Sequence, residues 1–184
     1  ASDFTAKIDG AGNAKLNNNN LPKPPALGRI VTDAVGDGKG GLVAAGFEPP
    51  LLPGLPAGGR LIWFSATGKE TKTVSVSGLL QLTSVLRNDK EGTLIVTGGA
   101  GTTAVNTCSV AALSETGASL WQKTLGSTQN GATCWRTAWH DDKSFAVVGG
   151  VPGNGTIVGV IAKMDLKGTV AWQKTLSAST KAGV

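Results

Sequence analysis

One histidine, two cysteines, one methionine and no run of basic residues leave this chain of 184 residues poor in the groups that carry chemistry. His140 alone cannot assemble the two or three imidazoles of a common metal site, and no Cys-x-x-Cys or His-x-x-x-His spacing compensates. No Gly-x-Ser-x-Gly elbow presents a nucleophile. Apolar residues never run on for the ~18 positions a membrane-spanning helix needs. No basic-then-apolar leader is visible, and a first residue Ala1 in place of Met suggests a processed or truncated product. Basic residues outnumber acidic ones 17 to 12, a formal charge of +5 dispersed singly along the chain. Without a basic patch, neither nucleic-acid binding nor a polybasic membrane contact is expected. Charged residues make up only 16% of the chain and apolar residues 40%, which excludes a disordered polar chain. The 27 glycines show no period of three, which excludes collagen.

What is present is repetition. Trp121-Gln122-Lys123-Thr124-Leu125 returns unchanged as Trp172-Gln173-Lys174-Thr175-Leu176, 51 residues on. The same step back from Lys123 reaches Lys72-Thr73-Val74, read as a weaker copy. A turn precedes each copy: Phe64 to Gly68, Leu113 to Gly117, and Met164 to Gly168. Ala6-Lys7-Ile8-Asp9 matches Ala162-Lys163-Met164-Asp165, and Gly98-Gly99 returns as Gly149-Gly150. Each unit reads as four short strands rich in Val, Ile, Thr and Trp, separated by Gly, Asp, Asn and Pro. In the last unit these are Cys134 to His140, Ser144 to Val148, Ile157 to Met164 and Val170 to Leu176. Asp165 to Gly168 suits a tight hairpin, with Asp capping the turn and Gly supplying a positive φ. Asp141-Asp142-Lys143 suits another, and the Gly-Gly pairs are read as strand ends before variable loops.

Repeats near 50 residues with four strands each predict an all-β chain of β-propeller blades, each of four antiparallel strands. About three and a half blades are present, as part of a larger propeller or one closed by oligomerisation. The boundaries are 1–27 for the end of a preceding blade plus an insertion, then blades at 28–77, 78–127 and 128–177. Residues 178–184 would begin a further blade. The units also resemble the repeat of a family of secreted bacterial and archaeal propellers. Asp89 and Gly92, Leu94 to Gly98, Lys163-Asp165-Gly168 and Trp172-Lys174-Thr175 carry the resemblance, which covers about 28–177.

Few residues stand outside this structural pattern. Cys108 opens a third strand and Cys134 the next first strand, so both thiols belong at one end of adjacent blades. A disulfide between them would fit an oxidising, secreted or cell-surface setting; two half-buried free thiols are the alternative. Trp121, Trp172, Gly117, Gly168 and Asp165 recur as blade positions. Truncating Trp172 to Ala is expected to cost about 3–5 kcal/mol if it is buried between sheets. Trp63, Trp135 and Trp139 occur in one unit each, and with Arg136 they are the candidate contacts for a protein or glycan partner. The spacing of four places Trp135 and Trp139 on one face of a strand. His140 is read as a strand-end residue at the position of Asp89, and the aspartate-rich turns as structural. The proline-rich connection 48–59, the Asn17–Asn20 run with its prolines, and the sequon Asn154-Gly155-Thr156 mark variable loops.

The function expected is therefore a non-catalytic extracellular scaffold or interaction module. Its partners would be the remaining blades or another copy, with neither cofactor nor metal. A glycan-binding propeller, or part of a propeller enzyme whose catalytic groups lie elsewhere, is the alternative. The sialidase-type turn and the quinoprotein tryptophan motif are not met.

Overall fold

A computed structural model describes residues 6–8, 14–16, 29–49, 58–102, 105–125, 132–153 and 156–176. The asparagine run and its prolines, the connection 50–57, Asn154-Gly155 of the sequon and the segment 178–184 lie outside the described residues.

Everything regular within them is β. A short antiparallel hairpin joins β1 (Ala6–Ile8) to β2 (Ala14–Leu16). Three four-stranded antiparallel sheets follow, each paired in chain order. The first holds β3 (Ile30–Gly36), β4 (Leu42–Glu48), β5 (Gly58–Phe64) and β6 (Glu70–Ser75). The second holds β7 (Gln81–Asn88), β8 (Thr93–Thr102), β9 (Val105–Ser114) and β10 (Ser119–Leu125). The third holds β11 (Thr133–Trp139), β12 (Ser144–Gly153), β13 (Thr156–Asp165) and β14 (Val170–Leu176). Among the described residues no helix is long and apolar enough to cross a membrane.

The hairpins before the fourth strands form as their sequences demand. The N–H of Gly168 donates to the Asp165 carbonyl at 3.1 Å, and the Asp165 carboxylate accepts the N–H groups of Lys167 and Thr169 at 2.9 and 2.7 Å. The same turn recurs with Ser114 and Gly117, and with Ser65 and Gly68, each glycine at a φ near +80°. Ordinary side chains avoid that region.

The Gly-Gly pairs do not end strands. Both sit inside β8 and β12, which run on to Thr102 and Gly153. Their first members, with Gly46, face a bulge in the neighbouring first strand, at Val31/Asp33, Leu82/Ser84 and Cys134/Arg136. A Cβ on Gly98 would stand 1.9 Å from the Gln81 carbonyl oxygen, and one on Gly149 2.3 Å from that of Thr133. The glycines therefore admit a bulged backbone rather than a loop.

These markers also correct the alignment of the first unit. Gly46 and Gly98 are 52 apart, but Gly68 and Gly117 only 49, because the connection through 48–58 is longer than its counterparts. Lys72 thus stands where Trp121 and Trp172 stand, each four residues after its hairpin glycine, and not where Lys123 does.

Two apolar cores lie between the sheets. Val43, Ala45 and Leu61 of the first sheet meet Leu82, Leu94, Val96 and Leu113 of the second. From its other face, Ile95, Val110, Ala112 and Leu125 meet Cys134, Phe145, Val147 and Met164 of the third. Successive residues on a strand point to opposite faces, so the near-continuous run Leu94-Ile95-Val96 is that of a sheet buried on both sides. Its three residues are at most 1% exposed.

Candidate functional site

The described side chains that could do work gather along the two seams between sheets and on the outer face of the third sheet. At the inner end, the first strand of each sheet reaches the next through a side-chain oxygen. Asp33 accepts the Val85 N–H at 3.1 Å and the Ser84 hydroxyl at 2.8 Å. One sheet later, the buried Ser84 oxygen accepts the Thr137 N–H at 3.2 Å and lies 2.9 Å from the Thr137 hydroxyl. Asp33 and Ser84 each follow the bulge of their own strand, so this is one contact made twice. Arg136 occupies the third such position and, having no acceptor atom, turns back to pair with Asp33 at 2.9 Å.

At the outer end, a fourth-strand side chain reaches the hairpin of the next sheet. Lys72 Nζ donates to the Thr116 carbonyl at 2.6 Å, and Trp121 Nε1 donates to the Leu166 carbonyl at 2.9 Å. The half-buried Trp121 ring lies over Gly168, where a Cβ would come within 2.9 Å of it. Trp172 stands on the equivalent fourth strand but is 41% exposed, with the Lys174 ammonium 5.9 Å from its ring centre. The burial imagined for it between sheets is thus absent here, since no fourth sheet covers it among the described residues.

Cys108 and Cys134 form a disulfide, with Cα atoms 4.7 Å apart, joining β9 to β11 across the second seam. Neither thiol is free.

The unit-specific tryptophans are not one patch. Trp63 is half-buried against the first core, with the Lys72 ammonium 5.1 Å from its ring centre. Its ring edge also touches Gly117. Beside it a concavity of about 240 Å³ is lined by Asp37, Lys72, Arg87 and Glu115. There Arg87 pairs with Asp89 and, at 2.7 Å, with Glu115, which raises the guanidinium pKa and lowers that of the Glu115 carboxyl. The seam's own salt bridges thus occupy this hollow. Trp135 and Trp139 are 46% and 37% exposed but lie on opposite faces of β11. Trp139 meets Phe145 edge-on at 6.2 Å, on the side of the second core, whereas the Trp135 ring lies over Gly150 beside Ile157. The bulge at Cys134/Arg136 inserts a residue between them and breaks the alternation that a spacing of four assumes.

His140, Asp141 and Ser144 come together in the β11–β12 turn. His140 Nδ1 lies 2.8 Å from the Asp141 carboxylate and 3.4 Å from the Ser144 hydroxyl. A catalytic triad puts the acid on one ring nitrogen and the nucleophile on the other; here both address the same one, which makes this a turn brace. The imidazole, then the Lys143 N–H, pull the exposed Asp141 carboxyl far below the usual carboxylate range. Among the described residues no group of three or more His, Cys, Asp or Glu could hold a metal ion.

Asp33, read from sequence as one of the structural turn aspartates, lies instead within β3 beside its bulge, and Ser84 and Thr137 were missed. The 51-residue step from Asp33 to Ser84 is a usable signal, but the residue types differ and only packing reveals the shared role. Compared with known proteins, the chain matches no family model and no curated protein sequence.

Proposed function

We propose that this chain is a segment of a β-propeller, its three sheets being successive blades, and that it serves as a non-catalytic extracellular scaffold or protein-interaction module. The observation that carries the reading is the recurrence of the seam. The Asp33–Val85 contact is repeated by Ser84–Thr137, and the Lys72–Thr116 contact by Trp121–Leu166. Such nearest-neighbour contacts are what holds a repeat array together. The likeness of the units to the repeat of secreted propellers supports the same reading, and the Cys108–Cys134 bridge fits an oxidising compartment. The remaining blades would come from further sequence or another copy. Two measurements test it. Amide exchange should protect the Val85 and Thr137 N–H groups as strongly as those of the strand ladders. A panel of chromogenic esters and glycosides should show no turnover dependent on His140; turnover lost in His140→Ala would overturn the scaffold reading.

Glycan binding is a second reading, supported by the exposed Trp135 indole beside Arg136, since an indole face stacks on sugar rings. A glycan array that lights up with the natural chain and goes dark with Trp135→Ala would favour it.

A further inference from the structure

We propose that this chain holds the outer side of its first sheet shut with a latch made by Arg29, so that a further sheet can pack there only when the latch is displaced. The inference takes the repeated seam of the scaffold reading and adds an autoinhibitory contact to it. Register places one row of residues across each sheet, on the face turned toward the preceding one. In the second sheet the row is Val85, Val96, Ala111 and Gln122, and in the third Thr137, Val147, Ala162 and Gln173. The preceding sheet buries the two middle members of each row to 2% exposure or less. In the first sheet the row is Ala34, Ala44, Ile62 and Thr73. Ala44 and Ile62 face away from the second sheet, yet each is only 3% exposed.

The cover comes from this chain, and the two ends of the row show how that side is fastened. At the outer end Arg29, just ahead of β3, reaches β6. Its Nη1 donates to both Glu70 carboxylate oxygens at 2.9 Å and lies 3.4 Å from the Thr73 hydroxyl, which itself donates to Glu70 at 2.6 Å. At the inner end the Ala34 N–H donates to the Asp33 carboxylate at 3.0 Å. In the other two sheets the equivalent N–H groups, those of Val85 and Thr137, are the ones that the preceding sheet accepts. The place of that seam contact is thus taken from within the strand. Two features mark a latch and not a further blade. Ala34 and the Gly68 hairpin stay exposed, whereas a preceding sheet buries Val85, Thr137 and the Gly168 hairpin. Arg29 Nε is buried without a hydrogen-bond partner, an unmade bond that costs stability and eases release.

Alkylation of an introduced thiol by iodoacetamide tests the latch, read by mass spectrometry without reductant so that the Cys108–Cys134 bridge stays closed. Ala44→Cys places the thiol under the cover, and Ile62→Cys does so if the first variant fails to fold. Either thiol should be protected in the otherwise natural chain and react about threefold to fivefold faster when Arg29→Ala is added. Glu70→Gln, at the other end of the same ion pair, should give a similar gain, and joining the two should add little to either. Ala111→Cys, in the core between the first and second sheets, is the control, and Arg29→Ala should leave its rate unchanged. An unchanged rate under the cover, a thiol there that reacts freely while Arg29 is present, gains that simply add, or an equal gain at the control position would overturn the proposal. None of these touches the scaffold reading, which fails on His140-dependent turnover or unprotected seam amides.

Discussion

Trp121 and Trp172 are the same residue in the same five-residue sequence on equivalent strands, yet replacing each by Ala should have different consequences. Removing a buried tryptophan from a core costs about 3–5 kcal/mol. Trp121 approaches that case: its ring covers Gly168, and its Nε1–H is given to the Leu166 carbonyl at 2.9 Å. Allowing for partial exposure, and for a hydrogen bond worth about 1 kcal/mol net, the loss should be about 2–4 kcal/mol. Trp172 is 41% exposed and touches no following sheet among the described residues, so its removal should cost about 1 kcal/mol or less. A gap near 2 kcal/mol is roughly a thirtyfold difference in the unfolding equilibrium. Urea titration followed by far-ultraviolet circular dichroism resolves it, provided the slopes of the two variants agree. Equal losses, or a larger loss at Trp172, would refute the claim that the seam, and not the sequence motif, sets the energy.

Three further outcomes are expected. Replacing both cysteines by Ser opens a loop with a sequence separation of 26 and should cost about 3.5 kcal/mol on the chain-entropy estimate; an unchanged urea midpoint would contradict it. Asp33→Ala strips the acceptor from the Val85 N–H and the charge from Arg136, and a loss of about 1–3 kcal/mol should appear with faster exchange of the Val85 amide. Asp141, Asp142 and Glu115 are held below their ordinary pKa values by His140, Lys90 and Arg87, and Asp165 by the Thr169 N–H. The unfolded chain therefore binds protons first as pH falls, so this stability is whole above about pH 5 and is lost progressively below about 4; a urea midpoint that rises on acidification would show the sign to be wrong.

The all-β architecture was legible because its punctuation is chemical. Asp165 and Gly168 encode a turn whatever surrounds them, and the alternation in the strands between such turns can take one form. The paired cysteines were legible too, once the order of strands was read. Less was visible where backbone hydrogen bonding intervenes. Matching Lys72 to Lys123 by letter ignored the longer connection through 48–58, which changes the offset partway through the first unit. The bulge at Cys134/Arg136 turns Trp135 away from Trp139, and nothing in the residue types announces it. The polar seam was hidden for another reason: an aspartate and a serine share one task because a neighbouring sheet brings an N–H to each, and that neighbour is fixed only by packing.

The bridge from Cys108 to Cys134 also sets what the chain can do under tension. All of β10, with Trp121, lies inside the covalent loop it closes, so pulling on the two ends cannot straighten that strand. With a sequence separation of 26, about 90 Å of contour length is withheld from extension. The first sheet has no such tie among the described residues and can be peeled away at its seam. A stretched chain would therefore yield from both ends, since β3 to β8 and β12 to β14 lie outside the loop, while the segment between Cys108 and Cys134 stays closed until a reductant releases the hidden length.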